Sequence, residues 1–461
     1  MAKTIAIVGA GWGDEGKGAV VSDLAREAQG VGRFQGGNNA GHTLYDSQGR
    51  KVVVNIAPSG VIYPHVQNII GNGCVIDLEV LDHNLKDLIN DPKLLISDGA
   101  HLIFDYHKQL DQARENSSAK IGTTKRGTGP AYADKINRLG IRASLLRRPK
   151  DLEEQIREAA NLKNEELELW DSAGTINADI LITKIRPLVE KYRGLVADAS
   201  LFLDKFIKAG NRFIFEGAQG ALLDIDHGTY PHVTSSSTTV AGLLAGAGLG
   251  LKSIDVAVGV AKLYCSRVGE GSFPTEGESY GNIKNLTRDT APKLTLDEKI
   301  VVYGGIRAHP DYNCLALRLI QEQGDEFGAT TGRMRRTGWL DIVALKKAIR
   351  VNGLDWLVGT RIDTLDRIGT VKVCTHYQNK ETGEFSYDFP GEELELEQMV
   401  PQYFEFPGWM STTGVRAFDR LPRNAQDYLS AIEGLTGVKF AGIRNGPRQG
   451  DYIQRTNLWR L

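Results

Sequence analysis

The first residues equipped for chemistry form the run Gly11-Trp12-Gly13-Asp14-Glu15-Gly16-Lys17-Gly18. Gly11 to Gly16 satisfies G-x-G-x-x-G and Gly11 to Lys17 satisfies G-x-x-x-x-G-K, spacings that let backbone N–H groups approach phosphate. Neither pattern is complete. A dinucleotide site also needs an acid about 20 residues further on, and that region reads VGRFQGGNNAGHT, with no acid. A P-loop needs Ser or Thr after the lysine to hold Mg²⁺, and Gly18 stands there. An acid inside the loop can hold the metal instead, in which case Asp14 tolerates phosphates because the cation lies between them. The alternative is a solvent-facing loop acid. The residues alone give Glu15 no chemistry.

Five further stretches carry polar residues in glycine-rich settings. In QGGNNAGHT, His42 can act as a general acid, as a donor to phosphate, or as a structural histidine. In IGTTKRGTGPAYADK, Thr123, Thr124, Lys125 and Arg126 beside Gly127 and Gly129 form either a second anion site or a basic turn. In FEGAQGALLDIDHGTYPHVTSSSTT, Gln219 suits an amide that reads a base, and the Ser/Thr run offers hydroxyls to phosphate. In DEFGATTGRMRRTGWLD, Thr330, Thr331, Arg333, Arg335 and Arg336 crowd together. Clustered arginines repel one another, so an anionic ligand is the better explanation. In TRIDTLD, paired with IRNGPRQGD, the carboxylate of Asp363 can accept from N1–H and the exocyclic amine of guanine, a donor pair that adenine lacks.

These residues need elements to hold them. Residues 4–8 read as a buried strand, the glycine loop follows, and 19–28 places Val20, Val21, Leu24, Ala25 and Ala28 at helical spacing. Strand, loop and helix together present a helix N-terminus to an anion. The pattern recurs in a strand at 212–215, a helix in DIVALKKAIRVNG, a strand in DWLVGTRID and another in VKVCTHY. Residues 151–169 and 195–209 read as amphipathic helices. The alternation predicts an α/β fold with a large, mostly parallel central sheet, flanking helices, long inserted loops and a P-loop-like N-terminal βα unit. Functional-looking loops run from Gly11 to Pro447, which suggests one large domain over 1–461 with a site built from strand-end loops.

Bulk composition narrows the class. Lys+Arg number 55 against 57 Asp+Glu, a net charge of −2, so nothing suggests nucleic acid as a partner. The four cysteines (Cys74, Cys265, Cys314, Cys374) form no C-x-x-C, and reduced thiols in a cytoplasmic protein are expected. The N-terminus reads as a strand rather than a signal peptide, and no 18-residue apolar run predicts a membrane span.

Taken together, WGDEGKG, GGNNAGHT, IGTTKRGTGPAY, EGAQGALLDIDHGTYPHVTSS, SRVGEGSFPTE and GATTGRMRRTGWLD closely resemble the adenylosuccinate synthetase family, in that family's order through most of the chain. The resemblance implies a ligase that joins IMP and L-aspartate at the expense of GTP, with Mg²⁺ as cofactor. It implies that Asp14 is the base taking the N1 proton of IMP, that His42 is the acid on the reacting oxygens, and that Lys17 stabilises the transferring phosphoryl group. Asp14 and the carbonyl of Gly41 match the metal ligands. Gly13, Glu15, Gly16, Lys17 and Gly18 match the loop on GTP, with Gly41, His42, Thr43 and Arg335. Arg361, Asp363, Asn445, Gly446 and Pro447 match the guanine end. Asp14, Asn39, Thr124, Gln219, Thr234, Val268 and Arg333 match contacts to IMP. Thr330, Thr331, Arg333 and Arg335 match a loop that closes on aspartate. Arg138 matches an arginine reaching the neighbouring subunit's IMP, which implies a homodimer.

The sequence also departs from the family pattern. Gly11 replaces Gln, Lys125 a Gly, Ser237 an Asn and Met334 an Arg. Arg361 stands for Lys in the guanine region, and Arg444 for Ser before Gly446-Pro447. Arginine only donates, so it cannot replace a hydroxyl accepting from the base. Residues 277–323 exceed the family's usual connection. KIVVYGGIRAH within them has strand character and suggests an added hairpin, read as a surface insertion or as a lid or oligomer contact. The alternative function is that of the family's phage branch, which succinylates dGMP at C6, sometimes with an adenine nucleotide as donor. Its base aspartate is typically replaced, so Asp14 favours IMP. A non-catalytic GTP switch would need the hydroxyl that Gly18 lacks.

Overall fold

Strand Thr4–Gly9 is buried at every position, as a parallel strand covered on both faces must be. It belongs to a computed structural model that describes residues 2–461 except 47, 87, 90, 119, 171–173, 278–286, 329–331 and 333. The fold is α/β with a large, mostly parallel sheet, as the strand–helix alternation predicts. The chain forms two compact units.

The first unit comprises Met1–Val8, Lys17–Gln219 and Thr234–Asp255. Its strands run in parallel in the order Thr4–Gly9, Phe213–Glu216, Gly30–Arg33, Gln67–Ile70, Lys93–Ser97 and Val196–Ala197. Gly30 and Gly32 are glycines because a Cβ there would lie 2.5 and 2.6 Å from the rings of Phe213 and Phe34. Helix Lys17–Ala25 buries Val20, Val21 and Ala25 and stops short of the expected 28, because the chain must turn into Gly30–Arg33. Helix Pro149–Leu169 matches its expectation and buries Leu152, Ile156, Ala160, Lys163 and Leu167, one stripe at helical spacing. The helix expected over 195–209 begins only at Ala199. Asp198 caps it by accepting from the Leu201 N–H at 2.9 Å, and Val196–Ala197 are drawn into the sheet edge instead.

The second unit comprises Gly9–Gly16, Gly220–Val233 and Val256–Leu461. Its parallel strands are Val256–Lys262, Trp356–Thr360 and Phe440–Arg444, with Tyr452–Gln454 antiparallel at the edge. A smaller sheet pairs Thr370–Asn379 with Met399–Pro407. Helix Ile342–Asn352 is capped by Asp341, which accepts from Ala344 N–H at 3.0 Å, and ends at Gly353 with φ 58°. The hairpin expected in KIVVYGGIRAH is absent: Leu296–Tyr303 is a helix, followed by helix Tyr312–Gln323. The reason is a capping box. Thr295 Oγ1 accepts from Glu298 N–H at 3.3 Å, and Glu298 accepts from Thr295 N–H at 2.7 Å. This start signal overrides the β-branched run Ile300-Val301-Val302. Among the described residues no helix is long and apolar enough to cross a membrane.

His101 lies buried in the first unit, in the short strand pair Val75–Ile76 and His101–Leu102. Burial, with the nearby charges of Lys135 and Arg142, pulls its imidazole down to about 4 from 6.5. The folded chain therefore binds fewer protons than the unfolded chain between those values. Stability falls as pH drops through that window. Melting temperature measured from pH 7 to 4 should fall less steeply in His101→Gln than in the parent. Parallel slopes would remove His101 from the account of acid lability.

Candidate active site

A lysine heading the helix after a glycine loop, at the end of a parallel strand, belongs to α/β proteins that handle nucleotide phosphates. Here that loop is held from within by Glu15. The Glu15 side chain is buried, and its Oε1 accepts from the N–H groups of Gly13 at 2.8 Å and Gly11 at 3.1 Å. Thr360 Oγ1 donates to the Glu15 carbonyl at 2.7 Å. Gly220 closes on the loop so tightly that a Cβ there would lie 2.2 Å from the Gly11 carbonyl. The loop reverses through Gly13 (φ 85°), Asp14 (φ 57°) and Gly16 (φ 90°). Aspartate tolerates this left-handed region better than most side chains. It leaves the Asp14 side chain one-third exposed (34%) while Glu15 turns inward.

Asp14 Oδ2 meets Arg335 Nη2 at 2.8 Å. Arg335 Nη1 in turn donates to Glu326 Oε2 at 2.8 Å. The other Glu326 oxygen accepts from Lys262 Nζ at 2.7 Å and from the Tyr264 hydroxyl. Glu326 is fully buried. Burial pushes its carboxyl up, but the charges of Lys262, Arg335 and Arg361 outweigh burial and hold it well below the usual carboxylate range. Burial works against the Arg335 cation, and Asp14 and Glu326 more than compensate. A cavity of about 30 Å³ under the loop is lined by Gly11, Trp12, Lys262, Tyr264, Ser266 and Asp341 among others. It holds a water or two but no purine.

In the first unit, His42 opens strand His42–Tyr45. Its Nδ1 lies 2.5 Å from Oε1 of Glu216, which is fully buried at the C-terminal end of strand Phe213–Glu216. Ser59 completes the arrangement, its N–H and hydroxyl donating to Glu216 at 2.7 and 2.6 Å. Burial raises the Glu216 carboxyl, but His42, Arg33 and the Ser59 hydroxyl bring it below its ordinary value. The carboxylate thus fixes the ring and turns Nε2 away from Glu216. Gly18 has a steric reason: a Cβ there would lie 2.7 Å from the Cβ of His42. The histidine occupies the space that a P-loop Ser or Thr would need. Lys17 is buried at the first position of its helix.

Three residues expected at IMP come together in this unit. Gln219 Nε2 donates to Asn39 Oδ1 at 3.1 Å, and Asn39 Nδ2 to Thr234 Oγ1 at 3.4 Å. Gln219 Oε1 is buried with no hydrogen-bond partner among the described residues, an acceptor suited to a ligand donor. Thr124 is half-buried in its loop, and Gly41 and Thr43 are half-buried beside His42. Arg138 is exposed with φ 63° where helix Thr128–Asn137 ends. In the second unit, half-buried Val268 follows strand Cys265–Arg267. Thr330, Thr331 and Arg333 lie outside the described residues.

The residues expected at the guanine end follow two neighbouring parallel strands. Arg361 and Asp363 follow Trp356–Thr360, and Asn445, Gly446 and Pro447 follow Phe440–Arg444. Burial lifts the Asp363 carboxyl above its ordinary value, against the pull of Arg361. Asp363 Oδ1 and Asn445 Oδ1 are buried acceptors without partners among the described residues. Arg444 does not substitute for a base-reading hydroxyl. Its Nη2 donates to the carbonyls of Gly446 at 3.3 Å and Arg448 at 2.9 Å, so it braces the turn.

Sequence reasoning missed Glu216, Ser59, Glu326 and Lys262. The available signals were slight: an acid closing the apolar run FIFE, and another just ahead of the arginine cluster.

The sequence model of the adenylosuccinate synthetase family matches residues 6–453. The chain is 40% identical over 459 residues to adenylosuccinate synthetase of Heliobacterium modesticaldum, with 98% of each chain covered. It is 42% identical over 457 residues to that of Stenotrophomonas maltophilia, with 97% of each covered. The solved structure of fully ligated adenylosuccinate synthetase from Plasmodium falciparum superposes with a TM-score of 0.86 at 32% identity, covering 98% of this chain and 100% of that one. Cyanophage S-2L succinoaminodeoxyadenylate synthetase, solved with dGMP and dATP, shares the fold with a TM-score of 0.57 at 20% identity, covering 98% of this chain and 95% of that one. The chain belongs to the adenylosuccinate synthetase family.

Glu216→Gln keeps the shape behind His42 and removes the charge. Turnover of IMP, aspartate and GTP should fall on the order of 10- to 100-fold, within the range of general acid–base contributions, and the melting temperature should fall as well, because His42 and Ser59 lose a buried anionic partner. Parental turnover in a folded variant would show that the carboxylate does not prepare His42.

Proposed function

We propose that this chain joins IMP and L-aspartate to adenylosuccinate through 6-phosphoryl-IMP, with GTP converted to GDP and phosphate. The carrying observation is the family match over residues 6–453 with both Asp14 and His42 in place. C6 of IMP carries an oxygen that leaves poorly, and phosphorylation makes it a good leaving group. Asp14 takes the N1 proton, and the resulting 6-oxyanion attacks the γ-phosphorus as the bond to GDP breaks. Lys17, three residues on, neutralises charge on the transferring group. His42, oriented by Glu216, donates through Nε2 to the reacting oxygens. The aspartate amine then attacks C6, and the C6–O bond breaks to release phosphate.

The donors fit Mg²⁺. Among the described residues no three His, Cys, Asp or Glu side chains group as a metal cage. Mg²⁺ typically takes one or two carboxylates with substrate phosphates and waters instead. The carboxylate of Asp14 and the carbonyl of Gly41 are hard oxygen donors of that kind. When bound, the ion would neutralise phosphate oxygens and draw GTP and the 6-oxyanion together.

Gln219, Asn39, Thr234, Thr124 and Val268 are assigned to IMP, supported by the Gln219–Asn39–Thr234 chain and the unpartnered Gln219 oxygen. Arg335, with Thr330, Thr331 and Arg333, is assigned to aspartate. Glu15 serves GTP by shaping the loop in which Gly13, Gly16, Lys17 and Gly18 meet the phosphates; Gly41, His42, Thr43 and Arg335 complete that set. Asp363 is assigned to the guanine donors, with Arg361 and Asn445 to Pro447 around the base. The exposed, left-handed Arg138 supports a homodimer in which it reaches the neighbouring IMP. The assigned compartment is the cytoplasm.

Purified protein should release phosphate only when IMP, aspartate, GTP and Mg²⁺ are all present. Asp14→Asn should lower that rate by several powers of ten, as loss of base and metal ligand together requires. Strong preference for dGMP over IMP would sink the assigned acceptor. Unchanged turnover in Asp14→Asn would sink the assigned base.

A further inference from the structure

Helix Tyr312–Gln323 lies in the 277–323 segment, yet it is no surface appendage. Leu315, Ala316, Leu317, Leu319 and Ile320 are buried along it. Its start is tied down by Tyr312, whose hydroxyl accepts from Thr370 N–H and donates to Thr370 O, both at 2.9 Å. Further bonds join it to the segment from Arg335 to Trp339. The Trp339 indole N–H donates to Asn313 Oδ1 at 2.8 Å, and the Thr337 hydroxyl donates to the Leu317 carbonyl at 3.2 Å. Gln321, only 3% exposed, donates from Nε2 to the Arg335 carbonyl at 2.5 Å. The Gln321 carbonyl accepts from Glu326 N–H at 3.1 Å, and the Glu326 carbonyl accepts from Arg335 N–H at 2.8 Å.

Arg335 is therefore gripped at both ends. Glu326 and Asp14 hold its guanidinium, and Gln321 holds its backbone carbonyl from a packed helix. We propose that Gln321 is a positioning residue: through it, helix Tyr312–Gln323 sets where Arg335 presents its guanidinium to the aspartate substrate. The inference rests on the assignment of Arg335 to aspartate made above. The chemistry is that of charge-assisted carboxylate recognition, which tolerates little displacement of the arginine. Rigid elements hold such groups more accurately than loops do, and Arg335 itself lies outside helix and strand, just ahead of strand Arg336–Gly338.

The test compares Gln321→Leu with Arg335→Lys and the parent in steady-state kinetics, varying each substrate in turn. Gln321→Leu keeps the side chain's bulk and deletes the donor. The KM for aspartate should rise about tenfold, the scale of one lost buried hydrogen bond. The KM for IMP should stay within about twofold and kcat should fall less than the aspartate KM rises; a general packing defect would not make that split. Should Gln321→Leu not fold, Thr337→Val removes the neighbouring helix–strand bond and is read the same way. An unchanged aspartate KM in the folded variant, or equal losses for all three substrates, would overturn the positioning role. Arg335→Lys separates the two claims. If it raises the aspartate KM while Gln321→Leu does not, the brace is wrong and the assignment stands. If it leaves the aspartate KM unchanged, the assignment of Arg335 falls and the positioning role falls with it.

Discussion

An ionised carboxylate removed from water is tolerated only when cations and donors surround it. Two such groups organise the functional residues of this chain, one in each compact unit. Glu326 gathers Lys262, Tyr264 and Arg335, and Glu216 gathers His42, the Ser59 hydroxyl and the Ser59 N–H. Neither carboxylate is exposed to react. Each fixes the direction of a nearly buried neighbour: the Arg335 guanidinium in one case, the His42 imidazole in the other. Removing either anion would leave its partners buried and uncompensated, which couples the chemistry of the site to the stability of the core.

The same logic explains the two acids in the glycine loop. Glu15 is an internal strut whose carboxylate satisfies the loop's own N–H groups. Asp14 occupies a left-handed position that turns its side chain outward. The missing P-loop hydroxyl has a geometric cause in the 2.7 Å approach of the His42 Cβ to the position a Gly18 Cβ would take.

Legibility in the sequence followed the locality of the signal. Strand Thr4–Gly9, helices Pro149–Leu169 and Ile342–Asn352 and strand Trp356–Thr360 were readable because each carries its own hydrophobic period. Asp14, Lys17, His42, Gln219 and Asp363 stood out because their types recur in glycine-rich settings at strand ends. Glu216 and Glu326 did not. A buried acid at the edge of an apolar run looks like any strand terminus until its partners, up to 174 residues away in the case of His42 and Glu216, are folded against it. The helix Leu296–Tyr303 was misread as a strand because three β-branched residues outweighed the Thr295-x-x-Glu298 capping box. The strand Val196–Ala197 was misread as helix because its pairing partner, Lys93–Ser97, is remote in sequence.

All the assigned roles converge on one bond change, the passage of the IMP 6-oxygen to phosphorus. Turnover of IMP labelled with ¹⁸O at C6, with GTP and aspartate, tests it directly by mass spectrometry of the released phosphate. The account predicts one labelled oxygen in phosphate for each adenylosuccinate formed. Unlabelled phosphate alongside full adenylosuccinate yield would contradict it, because the oxygen would then have left C6 without ever bonding phosphorus.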